Sequence, residues 1–347
     1  MTYSEVAFLP WADLNTEISV GDVSFWPFDK FSEELITDIA VRDHLRLYFK
    51  CYVNTNMVPV DSVAICSIKG RDFSPFTQEE HILMRRAVNA LTFSTVLPGI
   101  VRPVASDNQS WGPSDVDCFQ LVFQRFTPGS DQIAISSGHV TTGGLKINEV
   151  KFQRPTWIYN GVGSNNRDLD LLKVLGSRLL SKSKSTERVF NALEWFRLAH
   201  TGGDTLSDGP RVVMMSSAFE SIIQLPTYAK SGPLMEEIDK RLIGFSLRKT
   251  TATLGKKKVK VTLPAKFGLD FYQLRNSIVH GEKLKQSKLL FSNRQLKAEN
   301  RLKWITKLIV ADLLLYEIVW SSIGPSSNQS VLSWKFNSIH EALGWQK

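Results

Sequence analysis

The chain of 347 residues is 43% hydrophobic and 22% charged, with a formal net charge of +8. That balance excludes a disordered or collagen-like chain, and the length suits two domains with cores of their own. Cys51, Cys66 and Cys118 are odd in number and far apart, and no basic segment followed by an apolar run opens the chain, so reduced thiols in a cytoplasmic protein are expected, with no metal site.

Residues 1–165 read as a mixed α/β domain with strands and two helices. Ser4–Leu9, Glu17–Trp26, Val58–Ser67, Cys118–Phe126 and Asp131–Ser136 are rich in β-branched and aromatic residues and are separated by turn signals, which predicts strands. Phe31–Tyr52 has helical spacing, with Phe31, Leu35, Ile39 and Leu45 near one face. Thr77-Gln78-Glu79-Glu80 matches a capping box and predicts a helix running to about Leu97, where Pro98 and Gly99 end it. Arg102–Asp117 is loop-like. So is Pro155–Asn166, whose Gly161-Val162-Gly163-Ser164-Asn165-Asn166 marks the domain boundary.

Residues 166–347 change to apolar positions three and four apart, so the fold class is a two-domain α+β protein with an all-α C-terminal bundle. Helices are predicted at 168–181, 185–200, 211–224, 233–247, 263–280 and 294–323, with a short one near 331–343. Ser185 or Thr186 suits the cap of the second, and Pro210 the first turn of the third. Gly202–Gly209 and Thr250–Leu263 are expected linkers, the latter carrying Lys256-Lys257-Lys258 and Lys260. Leu308–Gly324 is the most apolar tract, but Asp312 and Glu317 interrupt it, so it reads as a buried helix and no membrane association is expected.

Charge is unevenly spread. Residues 241–310 hold 17 Lys and Arg against Asp270, Glu282 and Glu299, a local net of +14 that leaves −6 for the rest. Such a field attracts phosphate backbones, although solvated lysines on a loop and a helix face would give the same count.

This basic region contains Leu274-Arg275-Asn276-Ser277-Ile278-Val279-His280-Gly281 at the end of a predicted helix. Five residues of helix turn through about 500° and rise one turn, so Arg275 and His280 can border one groove at the helix end. Gly281 suits the left-handed position that stops a helix. Alone, the pair is also what any cationic helix end would show.

Three segments together resemble the HEPN superfamily, specifically its Apea-like branch. They are Val189–Ala199, an amphipathic stretch with Phe190, Trp195 and Phe196; Ser217-Ala218-Phe219-Glu220-Ser221-Ile222-Ile223, where the family more often has Leu at the place of Phe219; and Phe271–Gly281 with its Arg-polar-x3-His signature. Their order and separations also match. The resemblance covers about 185–323 and not the N-terminal domain. It implies a helical bundle working as a homodimer, in which two such motifs face each other and form a composite site without metal or cofactor.

The implied activity is endoribonuclease cleavage of RNA in stress response or anti-phage defence, as a toxin-like enzyme. Arg275 would bind the phosphate and stabilise its developing charge, His280 would move protons, and Asn276 would position a phosphate oxygen or the imidazole. Glu220 would orient Arg275 or tune His280, or else be a salt-bridged helix carboxylate. Lys283, Lys285 and Lys288 would line an RNA channel, or simply solvate a loop. Tyr272 and Trp304 are either base-stacking or core aromatics. The N-terminal domain would be a sensor, a substrate guide or a docking surface for a protein partner. A non-catalytic RNA-binding or assembly module remains the alternative.

Other chemistries lack their residues. There is no Gly-x4-Gly-Lys-Ser/Thr, His-Glu-x-x-His or Gly-x-Ser-x-Gly. Pro113-x-Asp115, or Asp117, followed by Glu149-Val150-Lys151 in strand-like context is a rival Mg²⁺-nuclease pattern, equally produced by surface alternation. His44, His81, His139, His200 and His340 are scattered in sequence.

Overall fold

A computed structural model of the chain describes residues 3–60, 63–95, 116–137, 140–154, 167–202, 206–224, 231–242, 245–291, 305–323, 336–337, 339–341 and 343–346. The chain divides into two compact units that are not consecutive stretches. One comprises Met1–Thr92, Ser114–Arg167 and Leu175–Leu180; the other comprises Phe93–Pro113, Asp168–Val174 and Ser181–Lys347.

The first unit is built on a five-stranded antiparallel sheet. Its strands are β1 (Ser4–Leu9), β2 (Ile18–Val20), β3 (Val23–Pro27), β5 (Ala64–Ile68) and β6 (Val122–Phe126), in the order β2-β3-β5-β1-β6. β4 (Tyr52–Val53) pairs in parallel with β9 (Phe152–Gln153), and β7 (Gln132–Ser137) pairs antiparallel with β8 (Val140–Lys146). The expected strand at Glu17–Trp26 is thus a hairpin, folded at Gly21. The predicted helix over Phe31–Tyr52 is two helices, α1 (Phe28–Leu35) and α2 (Ile39–Phe49). The break falls where the Asp38 side chain accepts from the Ala40 and Val41 amides and starts a new helix.

The capping box at Thr77 forms as expected. Glu80 N–H donates to Thr77 Oγ1 at 3.2 Å and Thr77 N–H to Glu80 Oε2 at 2.7 Å, opening α3 (Gln78–Phe93). Phe8 is buried against Tyr48, Phe49 and Tyr52, with ring centroids 5.0 to 5.9 Å apart. Cys51, Cys66 and Cys118 are buried thiols.

In the second unit the helices are α4 (Leu169–Gly176, whose last turn belongs to the first unit), α5 (Lys184–His200), α6 (Asp208–Ile223), α7 (Ser231–Arg241), α8 (Leu263–Val279), a short α9 (Gln286–Leu289) and α10 (Lys307–Ile323). Residues 336–337 and 339–341 are also helical. Ser183, ahead of the two expected residues, caps α5 by accepting from Thr186 N–H at 3.3 Å. Pro210 does stand in the first turn of α6. The expected loops Arg102–Asp117 and Pro155–Asn166 lie almost wholly outside the described residues, as does the stretch 294–304 expected to begin the last long helix.

The expectation of an all-α bundle needs correction. Thr250–Leu263 is not a linker but largely a hairpin of β10 (Lys249–Leu254) and β11 (Lys257–Thr262). Its two-residue loop has Gly255 first at φ +58, the placement that suits a tight hairpin turn. Thr250, Ala252, Val259 and Val261 alternate on one face, with Ala252 and Val261 buried. The lysine run occupies the positions between and beside them, which hid the period-two pattern.

The tract from Leu308 is a buried helix, as its apolarity required. Its two carboxylates are each met by an imidazole. Asp312 Oδ1 lies 2.8 Å from His200 Nε2 and Glu317 Oε2 lies 2.9 Å from His340 Nε2. Burial pushes both carboxyls up, and the partner imidazoles pull them partly back. Among the described residues no helix is long and apolar enough to cross a membrane.

Candidate active site

α8 begins and ends on side-chain or backbone chemistry that its sequence states. Thr262 Oγ1 accepts from Ala265 N–H at its start, and Pro264 occupies the first turn. At the other end Gly281 has φ +81, its amide donates to Ile278 O at 3.0 Å, and Glu282 N–H donates to Ser277 O at 2.9 Å. This is the paired 5→2 and 6→1 bonding that closes a helix through a left-handed glycine. His280 is the capping residue, exposed, with φ −83 and ψ 9. It therefore stands at the negative end of the helix dipole, with its side chain open to solvent.

One turn earlier, Arg275 and Asn276 are coupled directly. Arg275 Nη1 donates to Asn276 Oδ1 at 3.1 Å, which leaves the Asn276 amide NH₂ to donate elsewhere. Arg275 Nη2 is 3.9 Å from Glu220 Oε1 on α6, and the guanidinium carbon lies 5.5 Å from the centre of the Tyr272 ring. Side-chain exposure of 27% for Arg275 and 30% for Glu220 makes both half-buried, so the ion pair is only partly desolvated. The structure brings Arg275, Asn276 and Glu220 into one cluster and puts His280 at the end of the same helix.

Tyr272 takes the core alternative of the two expected for it, and adds a contact that sequence reasoning did not foresee. It is 6% exposed, and its hydroxyl donates to Glu220 Oε1 at 2.7 Å. Burial first, then the hydrogen bond to Glu220 and that carboxylate's charge, push its phenol up to about 12. Its spacing of three from Arg275 signals a shared helix face. Glu220, 52 residues away, leaves no local trace of this contact. Trp304 lies outside the described residues.

α6 and α8 meet closely near the motif: a Cβ built on Gly209 would stand 3.6 Å from Ile278 Cγ2. The first turn of α6 therefore adjoins the last turn of α8.

The three lysines beyond the motif differ from one another. Lys288 Nζ pairs with Glu282 Oε2 at 3.5 Å, so its charge is offset on the surface. Lys283 and Lys285 are exposed, and Lys285 is the residue before α9.

No family model, curated protein or solved structure matches this chain. The reading of the site accordingly rests on its own geometry. The rival carboxylate–lysine pattern loses its strand: Glu149 ends a 3₁₀ turn, and Lys151 Nζ donates to Lys50 O at 3.4 Å. Pro113 and Asp115 lie outside the described residues. Among those described, no three His, Cys, Asp or Glu side chains gather as metal ligands would.

Proposed function

We propose that this protein is a metal-independent endoribonuclease of the HEPN type, in which Arg275, Asn276 and His280 act on the scissile phosphate. The observation that carries this reading is the Arg275–Asn276 hydrogen bond on the same helix whose exposed terminus is His280. A guanidinium and an amide held together make a fixed cluster of N–H donors, suited to the non-bridging oxygens of a phosphodiester. An imidazole can serve as acid and as base, worth about 10²–10⁴-fold.

In the proposed reaction the 2′-hydroxyl gives up its proton and its oxygen attacks the adjacent phosphorus. The P–O5′ bond breaks and the leaving oxygen takes a proton. The products are a 2′,3′-cyclic phosphate and a 5′-hydroxyl. Charge grows on the phosphoryl oxygens as the pentacoordinate state forms, and Arg275 would stabilise it. DNA lacks the attacking hydroxyl and should remain uncut.

A single His280 imidazole cannot give and take protons on opposite sides of the phosphorus at once. A homodimer supplies the second copy across a two-fold interface. Val279, beside His280 and 53% exposed, offers apolar surface for such a contact. A role in stress response or anti-phage defence, and a regulatory trigger acting through the N-terminal unit, belong to the same proposal.

The test is cleavage of single-stranded RNA in EDTA by the wild type and by His280→Ala. The wild type should cut, leaving cyclic phosphate ends, and His280→Ala should lose at least about a hundredfold in rate with its circular dichroism unchanged. Cleavage that requires Mg²⁺, or that survives the substitution, would remove the mechanism. RNA binding without any cleavage would favour a non-catalytic module instead. Sizing in solution tests the composite site separately, since a strict monomer in the presence of RNA cannot form it.

A further inference from the structure

The hairpin of β10 and β11 has two unlike faces. Cross-strand pairing sets Lys249 opposite Thr262, Thr251 opposite Lys260 and Thr253 opposite Lys258. With period two, these six residues share one face. The other face carries Ala252, Leu254, Val259 and Val261, and Leu254 packs toward Gly232 at the start of α7. The first face is open: Lys249, Thr251, Thr253, Lys258 and Lys260 are all exposed. Lys256 at the loop and Lys257 at its edge are exposed as well.

No carboxylate shares this face, and none of its lysines has an ion pair among the described residues. Asp239, at the base of the ribbon, is occupied by Thr262, accepting from its amide at 3.1 Å and its hydroxyl at 2.7 Å. Like charges on neighbouring strands repel, so three unpaired lysines on a short ribbon cost stability. Edge lysines do discourage strand-to-strand aggregation, but that role needs no alternation with hydroxyls on the broad face.

The chemistry of the face selects its occupant. Ammonium groups interleaved with threonine hydroxyls suit a row of phosphate oxygens. The absence of aromatic or guanidinium groups removes the means of reading or stacking bases. No large apolar side chain on the ribbon is exposed, as insertion into a lipid surface would want.

We propose that the Lys249–Lys258–Lys260 face of this hairpin is a docking surface for the phosphate backbone of single-stranded RNA, rigidly linked to the candidate site through α8. β11 runs directly into that helix, whose 17 residues span about 25 Å and are capped by His280. A stacked strand rising about 3.4 Å per nucleotide needs about seven nucleotides to reach from one end to the other. The hairpin therefore holds the body of a long strand while its end or loop meets Arg275. This assignment rests on the reading that the site at the far end of α8 acts on RNA.

The experiment uses the full chain with Lys249, Lys258 and Lys260 all changed to Gln, or all to Arg. The first probe is a 30-nucleotide 2′-O-methyl strand, which cannot be cut and so reports binding whether or not the protein is a nuclease. By counterion release, loss of three contacts should lower the slope of log K against log salt by about 2 and weaken binding on the order of a hundredfold at 0.1 M salt. The Arg variant should bind as wild type, which excludes misfolding of the ribbon as the cause. The second probe is cleavable RNA of 4 and 30 nucleotides, for which only the longer should lose kcat/KM in the Gln variant.

Unchanged affinity and slope in the Gln variant would overturn the proposal. So would equal losses on 4 and 30 nucleotides, or a loss in the Arg variant equal to that in Gln. Binding to phosphatidylserine vesicles that is lost in the Gln variant, with strand binding intact, would assign the face to lipid and also overturn it. If no RNA is cut but the 2′-O-methyl strand shows the predicted slope, docking stands and the nuclease reading fails.

Discussion

At the scale of single residues, the arrangement around Glu220 has a direction. Its Oε1 is held at 2.7 Å by the Tyr272 hydroxyl, while Arg275 stops 3.9 Å from the same oxygen. In the proposed site Tyr272 would be a positioning residue, its hydroxyl keeping the carboxylate from closing onto the guanidinium. Without the hydroxyl, Glu220 should turn to Arg275 and occupy donors otherwise available to phosphate. Tyr272→Phe is therefore expected to weaken binding of a 2′-O-methyl strand about tenfold, the worth of one hydrogen bond to a charged group. Adding Glu220→Gln should restore it. Wild-type affinity in Tyr272→Phe, or no rescue in the double variant, would show that Glu220 is not restrained in this way. The phenol offers a second readout. Its folded value of about 12 exceeds its ordinary 10.0, so its contribution to stability is whole below pH 10 and is lost as pH rises through 12. An ultraviolet difference titration of wild type against Tyr272→Phe should show the missing step near pH 12. That Arg275, Asn276 and His280 share one helix end was legible in the sequence. Their carboxylate partner was suspected, but the tyrosine between them was not, because a contact 52 residues apart leaves no periodicity.

Elements were legible wherever their determinants are neighbours in sequence. The Thr77–Glu80 box opened α3 because both bonds join residues three apart. The turn after His280 was likewise readable, since Gly281 alone can take φ +81 without strain. That makes a sharp test of the element. A Cβ at Gly281 meets nothing within 4 Å, so a substitution there pays only the backbone cost. Gly281→Ala should lower unfolding free energy by about 1–2 kcal/mol in a urea titration, and Gly281→Asn by less, because asparagine tolerates the left-handed region. Equal stability of wild type and Gly281→Ala would mean that the helix end reorganises without loss. The hairpin at Lys249–Thr262 escaped notice for the opposite reason. Its alternation is carried by threonine and valine set among lysines, and charge density resembled a solvated loop more than a strand. Ser183 displaced the two expected caps by standing two residues ahead of Ser185 and three ahead of Thr186, a difference that spacing does not resolve.

At the scale of the molecule, the change from strands to helices near residue 166 is plain in the sequence, and the chain does cross between the compact units beside it, at Arg167 and Asp168, but not only there. Phe93, the last residue of α3, belongs with the C-terminal unit: it is fully buried, 4.9 Å from Phe196 and 5.9 Å from Tyr316 by ring centroid. Ser94 O accepts from Asp168 N–H at 2.9 Å beside it. The capping box told that a helix runs through Phe93, not which core that residue completes. Loss of a buried phenylalanine costs about 3–5 kcal/mol, a large part of the 5–15 kcal/mol by which a domain is ordinarily stable. A fragment of residues 166–347 lacks this ring altogether. Guanidinium unfolding followed by tryptophan fluorescence should therefore find the fragment much less stable than the same unit in the full chain. Phe93→Ala in the full chain should reproduce most of that loss while leaving both termini in place. A fragment that unfolds at the full-chain midpoint, with Phe93→Ala matching wild type, would mean that the helical unit is complete from residue 166 onward and that Phe93 contributes nothing to its core.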